Sequence, residues 1–180
     1  MRKDVIWAAV QWPGLEYVIA LAGANGLRAD SQLVMAEQGP ARVSYQLECG
    51  ADWRFRALSM SVTDPDGERA LTMTAEPGGH WTVDGEDRAD LEPCTDIDIN
   101  VSPLTNTLPI RRLDWSDGQA VDLNVAYVSV PELTVESVQQ RYTMLAAGLF
   151  RYESGSFRAD LPVDEDGFVL DYPGIWTRPV

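Results

Sequence analysis

The sequence predicts a mainly β protein in which one large antiparallel sheet curls around a short central helix. Three observations support this fold class. Apolar and polar residues alternate with period two in several short runs, as they do in half-buried β-strands. Turn-forming residues separate these runs at short intervals, and segments with a helical pattern are scarce. The length of 180 residues suits one domain that spans residues 1–180.

The alternating runs identify the strands most directly. The clearest are RVSYQLE (42–48), RALSMSVTD (56–64), DIDIN (96–100) and the β-branched, apolar VDLNVAYVSV (121–130). Turn signals recur along the chain at GANG (23–26), EQGP (37–40), DPDG (64–67), EPGG (76–79), VDGE (83–86), SDG (116–118) and DEDG (164–167). This spacing predicts an antiparallel meander of about ten or more strands.

The helix is predicted within residues 102–113. Ser102 is a capping residue followed by Pro103 at the first helical position, and Thr107 is a second capping candidate. Pro109 excludes one long regular helix through the segment. A large sheet must curl or leave one face uncovered, and this helix can fill the space inside the curl. The pattern of residues 130–148 does not separate helix from strand, so that segment stays open.

Composition excludes several classes of partner. The chain has 28 acidic and 14 basic residues, a net charge of -14, which repels nucleic acid and anionic membrane surfaces. No run approaches the roughly 18 apolar residues of a membrane span, and the first ten residues lack the apolar core of a signal peptide. We therefore expect a cytoplasmic protein. Cys49 and Cys94 form no CxxC motif and are expected as free thiols, although a disulfide between them stays open.

Two adjacent arginines, Arg111 and Arg112, follow the polar run Thr105-Asn106-Thr107. An arginine pair suits a phosphate or carboxylate head group, because each guanidinium donates paired hydrogen bonds. Thr105 and Asn106 are the neighbouring candidates for head-group contacts. The structural alternative is that one arginine pairs inside the fold with Asp96 or Asp98 and holds the helix against the sheet.

Asp96 and Asp98 share one face of a predicted strand. Their Cα atoms are expected about 7 Å apart, from a rise of roughly 3.3 Å per residue. This separation fits a carboxyl pair that activates water in glycoside hydrolysis. It also fits a structural polar network of solvated or arginine-paired carboxylates.

The sequence contains no other motif typical of a catalytic or metal site. His80 is the only histidine and follows two glycines in a predicted hairpin loop, which excludes a zinc site with several histidine ligands. The DEDG turn lacks the spacing of a calcium loop, and no glycine-rich phosphate loop is present. We therefore expect no cofactor and no metal, and we assign no catalytic residue.

Six tryptophans and six tyrosines are spread along the chain. Aromatic rings provide stacking faces for sugars and apolar walls for acyl chains, but they also fill cores and interfaces. The candidates for ligand contact are Trp115, Tyr172 and Trp176.

The run CTDIDINVSPLTNTLPIRRL (94–113) resembles the signature of a bacterial family of glycolipid-binding proteins. Further similar stretches are WPGLEYV (12–18), ARVSYQLECGADW (41–53), GGHWTVDG (78–85), VPELTV (130–135), QRYT (140–143), RYES (151–154) and VDEDGFVLDYPGIWTR (163–178). The resemblance covers nearly the whole chain. It implies a spiral β-roll wrapped around a helix, a homodimer, and a shape like that of periplasmic lipoprotein carriers. It assigns no catalytic residue.

The leading hypothesis is a non-catalytic protein that binds a glycolipid or another amphiphile in an apolar cleft of the curled sheet. Its strands near 121–130 would line the cleft. One alternative is a hydrolase of a sugar or lipid derivative that uses Asp96, Asp98 or His80. The other is a dimeric interaction module without a small ligand, which requires a filled interior.

Overall fold

The computed structural model describes residues 1–37 and 39–179. Its strands are β1 (Arg2–Ala9), β2 (Gly14–Gly23), β3 (Gly26–Met35), β4 (Ala41–Cys49), β5 (Phe55–Asp64), β6 (Gly67–Ala75), β7 (Trp81–Val83), β8 (Glu86–Asp87), β9 (Asp96–Ile99), β10 (Ala120–Ser129), β11 (Thr134–Ala146), β12 (Leu149–Ser154), β13 (Phe157–Pro162), β14 (Asp171–Tyr172) and β15 (Trp176–Thr177). Its helices are the 3-10 helices Ala89–Leu91 and Pro103–Asn106 and the α-helix α1 (Thr107–Arg112). The prediction of a mainly β protein with one short helix is confirmed.

The predicted large antiparallel sheet is present with ten strands, of which eight form a meander. Strands β1 to β8 lie side by side in chain order, and β15 and β14 extend the sheet beyond β1. The apolar residues of the alternating runs face inward, since Val43, Tyr45 and Leu47 are all buried. The turn predicted at 37–40 includes residue 38, which lies outside the described residues.

The remaining strands form a second sheet, which the sequence did not predict. Its order is β13-β12-β11-β10-β9, and β9 pairs with β10 in parallel. Parallel pairing requires a crossover connection rather than a hairpin, and residues 100–119 provide it with the helical segment. In the part of the chain that the structure describes, hydrogen bonding closes neither sheet on itself. The curl of the large sheet into a roll therefore stays a prediction.

The helical segment begins as its sequence indicates. The Ser102 hydroxyl accepts a hydrogen bond from the Leu104 N–H at 3.2 Å, so its capping role is confirmed. Pro109 lies in the first turn of α1, where its missing N–H leaves no helical hydrogen bond unmade. The prediction of a second cap was wrong. Thr107 is already the first residue of α1, and its buried hydroxyl has no hydrogen-bond partner among the described residues.

The helical segment lies between two apolar clusters. Leu104 and Leu108 pack in the larger cluster, which covers the inner face of the ten-stranded sheet. Ile110 packs in the smaller cluster with residues of the second sheet such as Phe150 and Leu161. The helix therefore lies between the two sheets and connects them through side-chain packing, whereas the sequence predicted it inside the curl of a single sheet.

Two further segments complete the fold. The ambiguous segment 130–148 is largely strand β11. Strand β15 pairs with β1, with Trp176 opposite Ala9, and so places the last strand of the fold beside the first. No helix in the described part of the chain is long and apolar enough to cross a membrane.

Candidate functional site

A cavity of about 410 Å³ lies beside the helical segment. One face of the second sheet, the connection that follows β9, and the C-terminal strands form its walls. The lining residues are Asp98, Ile99, Asn100, Ser102, Pro103, Asn106, Tyr127, Glu136, Val138, Tyr152, Ser154, Phe157, Tyr172, Ile175 and Trp176. The volume falls in the range of small-molecule sites, which is about 300–1,000 Å³.

Strand pairing sets the acidic part of the lining. Tyr127 on β10 pairs with Asp98 on β9 and with Glu136 on β11. Residues paired across neighbouring strands share one face of the sheet, so the three side chains form a row with the tyrosine in the middle. Two strand spacings of about 4.8 Å separate the backbones of the two acids by roughly 10 Å.

Asp98 lies at the buried end of this row, with only 9% of its surface exposed. Its carboxylate accepts hydrogen bonds from Gln140 Nε2 at 2.6 Å, Thr105 Oγ1 at 2.8 Å and the Tyr152 hydroxyl at 3.3 Å. Burial raises the pKa of this carboxyl group, and the three hydrogen bonds oppose the rise. Each of its hydrogen-bond donors is an uncharged side chain.

Asp96, two residues earlier on the same face, has a cationic partner. Arg112 Nη2 lies 2.6 Å from one of its oxygens, and Arg112 Nε lies 3.2 Å from the other. Both side chains are buried. The structural alternative for the arginine pair is therefore confirmed for Arg112. Arg111 is exposed and lies over the Trp53 ring, 5.1 Å from its centroid.

A third buried carboxyl group, that of Glu16, lies behind the cavity wall. Glu16 on β2 is fully buried, and the hydroxyls of Ser31, Tyr45 and Ser102 each lie 2.8 Å from its Oε1. Burial raises the pKa of Glu16 to about 7, against the effect of these hydrogen bonds. Ser102 also lines the cavity, so it connects this polar cluster to the candidate site.

Three aromatic rings form a cluster at the cavity. The ring centroids of Tyr152, Phe157 and Tyr172 are 6.1 to 6.2 Å apart in each pair. Trp176 lies nearby in the lining and packs edge-on against Trp12, with centroids 5.7 Å apart. The cavity thus joins an aromatic wall to hydrogen-bond acceptors, an arrangement suited to a ligand with an apolar part and a polar part.

The residues predicted for ligand contact divide into two groups. Asn106, Tyr172 and Trp176 line the cavity. Thr105 lies behind Asp98 as its hydrogen-bond donor, and Trp115 donates to the Ile110 carbonyl at 3.1 Å. Neither of these two, nor either arginine, lines the cavity. Their predicted binding roles stay predictions.

Sequence reasoning missed most of the cavity lining. Tyr127 belongs to a predicted strand, but the alternation in its run does not reveal that Asp98 and Glu136 pair with it. Tyr152 and Phe157 lie on strands that were not singled out. The burial of Glu16 was predictable from the sequence, because the two-residue period of a strand places it on the same inward face as Val18 and Ala20.

The histidine and the two cysteines lie outside the cavity lining. His80 is exposed and its Nε2 lies 3.1 Å from Asp87, as expected of a loop residue. Cys49 and Cys94 are both buried free thiols. Within residues 1–37 and 39–179, no group of three or more His, Cys, Asp or Glu side chains could hold a metal ion.

The DEDG run forms the predicted turn. Asp164 Oδ1 accepts hydrogen bonds from the N–H groups of Asp166 and Phe168, both at 3.0 Å. Its other oxygen pairs with Lys3 at 2.8 Å and Arg178 at 2.7 Å. The turn therefore ties together the two ends of the described chain.

A protein of known structure shares both sequence and fold with this chain. The chain is similar to a DUF1089 family protein from Pseudomonas aeruginosa in its crystal structure, with 39% sequence identity and a TM-score of 0.83 over 91% of this chain and 92% of that chain. Among curated proteins, no significant match was found. The family described as "Putative glycolipid-binding" matches residues 4–178. The chain therefore belongs to this family.

Proposed function

We propose that the protein binds a glycolipid or another amphiphile in the 410 Å³ cavity without catalysing a reaction. The observation that carries this proposal is the lining itself. Hydrogen-bonding side chains such as Asp98 and Asn106 lie in the same cavity as the aromatic cluster of Tyr152, Phe157 and Tyr172. Family membership supports an amphiphilic ligand.

In this proposal the polar head group contacts Asn106 and Asp98, and the apolar part lies against Tyr172 and Trp176. The volume lies at the lower end of small-molecule sites, so the cavity encloses a head group and the first part of a chain. The remainder of a long acyl chain extends past the exposed ring of Phe157, which is 40% accessible.

The two alternatives have less support. A hydrolase in which Asp96 and Asp98 activate water needs both carboxyl groups free to exchange protons, but Arg112 binds both oxygens of Asp96. An interaction module without a ligand needs a filled interior, and the cavity argues against it.

The proposal also includes a wider arrangement of the molecule. Residues 1–180 act as one domain whose large sheet curls as a spiral β-roll around α1. Two copies associate through the outer face of β1–β3, which exposes the apolar residues Ile6, Leu15, Tyr17, Leu21 and Val34. A cytoplasmic location is in keeping with the two free thiols.

Native mass spectrometry of gently purified protein tests the proposal, followed by lipid analysis of whatever dissociates. We expect an amphiphile retained at about one per chain. Protein that carries none, and that takes up none of a panel of short-chain detergents, would remove the basis for ligand binding. The same spectra report whether the protein is a dimer.

A further inference from the structure

Asp96 and Asp98 differ in one respect that bears on the ligand. They lie on the same face of β9, and both are buried. Asp96 is paired with a cation of the protein, Arg112. Among residues 1–37 and 39–179, the donors to Asp98 are only the uncharged side chains of Thr105, Gln140 and Tyr152. Buried carboxylates in proteins usually have a cationic partner. Asp96 has such a partner, whereas, within the described chain, Asp98 does not.

The cavity is the open space beside Asp98, and its lining supplies no cation. None of the 15 lining residues is lysine or arginine. A second carboxyl group, Glu136, lines the cavity from β11 and is exposed. An ionised carboxylate accepts about four hydrogen bonds, and the protein provides three to Asp98. The described residues therefore leave one acceptor position of Asp98 unfilled, and Asp98 lines the cavity.

The aromatic wall favours the same kind of donor. Tyr127, Tyr152 and Tyr172 line the cavity around the two carboxyl groups. The face of an aromatic ring attracts a cation, and the attraction is stronger where water is excluded. Burial raises the pKa of each of these tyrosines, and the negative charge of Asp98 raises it further. The charge of Asp98 therefore acts on all three tyrosines of the lining.

We propose that the head group bound in this cavity carries a protonated primary amine whose N–H donates to Asp98 between the tyrosine rings. This inference rests on the proposed function and names the chemistry of its ligand. Glu136 attracts the same cation at the opening. A phosphate or carboxylate head group is repelled by both acids, and the net charge of -14 adds to the repulsion. An alkylamine and an amino sugar share this chemistry.

The test uses the full chain and head groups on one common tail. Isothermal titration compares octylamine, octyl glucoside and octyl phosphate below their micelle concentrations. We expect octylamine to bind roughly tenfold or more tightly than octyl glucoside, because a charged hydrogen bond and cation–π contacts add to the shared tail contacts. Octyl phosphate should bind most weakly. Competition by glucosamine, with glucose as its control, distinguishes an amino sugar from a simple alkylamine.

Variants assign the preference to the cavity. Asp98→Asn removes the charge and should abolish the preference for octylamine over octyl glucoside. Asp117→Asn, at an exposed turn outside the lining, should keep it. Equal or tighter binding of the glucoside by the wild type would overturn the amine inference while leaving amphiphile binding intact. Failure of all three octyl compounds to bind would overturn the proposed function and the inference together.

A second measurement covers the case in which Asp98→Asn does not fold. Glu136 is exposed, so Glu136→Gln should fold normally and weaken octylamine binding several-fold, with little effect on the glucoside. Added salt should weaken octylamine binding by the wild type and leave the glucoside unaffected, because salt screens only the charged interaction. Octylamine binding that responds to neither the variant nor salt would overturn the inference.

Discussion

Ser102 and Glu16 are 86 positions apart in the sequence, and the Ser102 hydroxyl donates to the Glu16 carboxyl group at 2.8 Å. The contact joins the inner face of β2 to the start of the helical segment. The same hydroxyl accepts the capping hydrogen bond from Leu104 N. One side chain therefore fixes the beginning of the helical segment and anchors it to the large sheet, beside the wall of the candidate cavity.

The first prediction concerns the pH dependence of stability. The carboxyl group of Glu16 has a pKa of about 7 in the folded protein and an ordinary value of 4.5 when exposed. Between these values the unfolded chain loses the proton while the folded protein keeps it. The free energy of unfolding should therefore fall as pH rises from about 4.5 to 7, by on the order of 3 kcal/mol from this group.

Urea unfolding across this pH window measures the effect. Glu16→Gln keeps the size of the side chain and cannot ionise, so its free energy of unfolding should change less with pH than that of the wild type. Glu68→Gln, an exposed change on β6, is the control and should follow the wild type. An equal slope in Glu16→Gln and the wild type would contradict the assignment to Glu16.

The second prediction separates the two adjacent arginines. Arg112→Leu leaves Asp96 buried without its cation and should lower stability by about 3–5 kcal/mol. Arg111→Leu removes one exposed contact with Trp53 and should cost about 1 kcal/mol or less. Thermal unfolding distinguishes them, with a melting temperature lower by roughly 10 °C in the first variant. Equal melting temperatures would show that the buried pair does not stabilise the fold.

The third prediction concerns the aromatic cluster. Phe157 is 40% exposed, so Phe157→Ala should cost little stability but weaken amphiphile binding roughly tenfold by removing apolar contact area at the opening. Leu170 has the same exposure and does not line the cavity, which makes Leu170→Ala a matched control. Titration with octyl glucoside measures both. Equal affinity in the two variants would place the apolar part of the ligand elsewhere.

The fourth prediction concerns association of two copies. Val34 is 54% exposed on the outer face of β3, where Val34→Glu should dissociate the proposed dimer by placing a carboxylate in an apolar contact. Ser59→Glu changes an exposed residue on the same sheet, two strands away, and should leave the dimer intact. Sedimentation velocity measures the mass of each. A wild-type monomer would contradict the proposed interface directly.

Local sequence patterns predicted much of the fold. Alternation around Val43, Tyr45 and Leu47 predicted strands, because in a two-residue period the side chains of one face are buried together. Ser102 and Pro103 predicted the start of the helical segment through capping chemistry that involves only neighbouring residues. The division into two sheets was not predictable in this way, because it depends on β9 crossing over to pair in parallel with β10. No local pattern encodes that pairing.

By itself, the sequence determined the β class, the short helix, the acidic surface and the two carboxylates that share a face of β9. Only the tertiary structure decided that Asp96 meets Arg112 whereas Asp98 faces the cavity with uncharged partners. The physical reason is distance along the chain. Alternation and capping act over a few residues, whereas the partners of a buried charge come from strands and helices far apart in sequence and are fixed only when those elements pack.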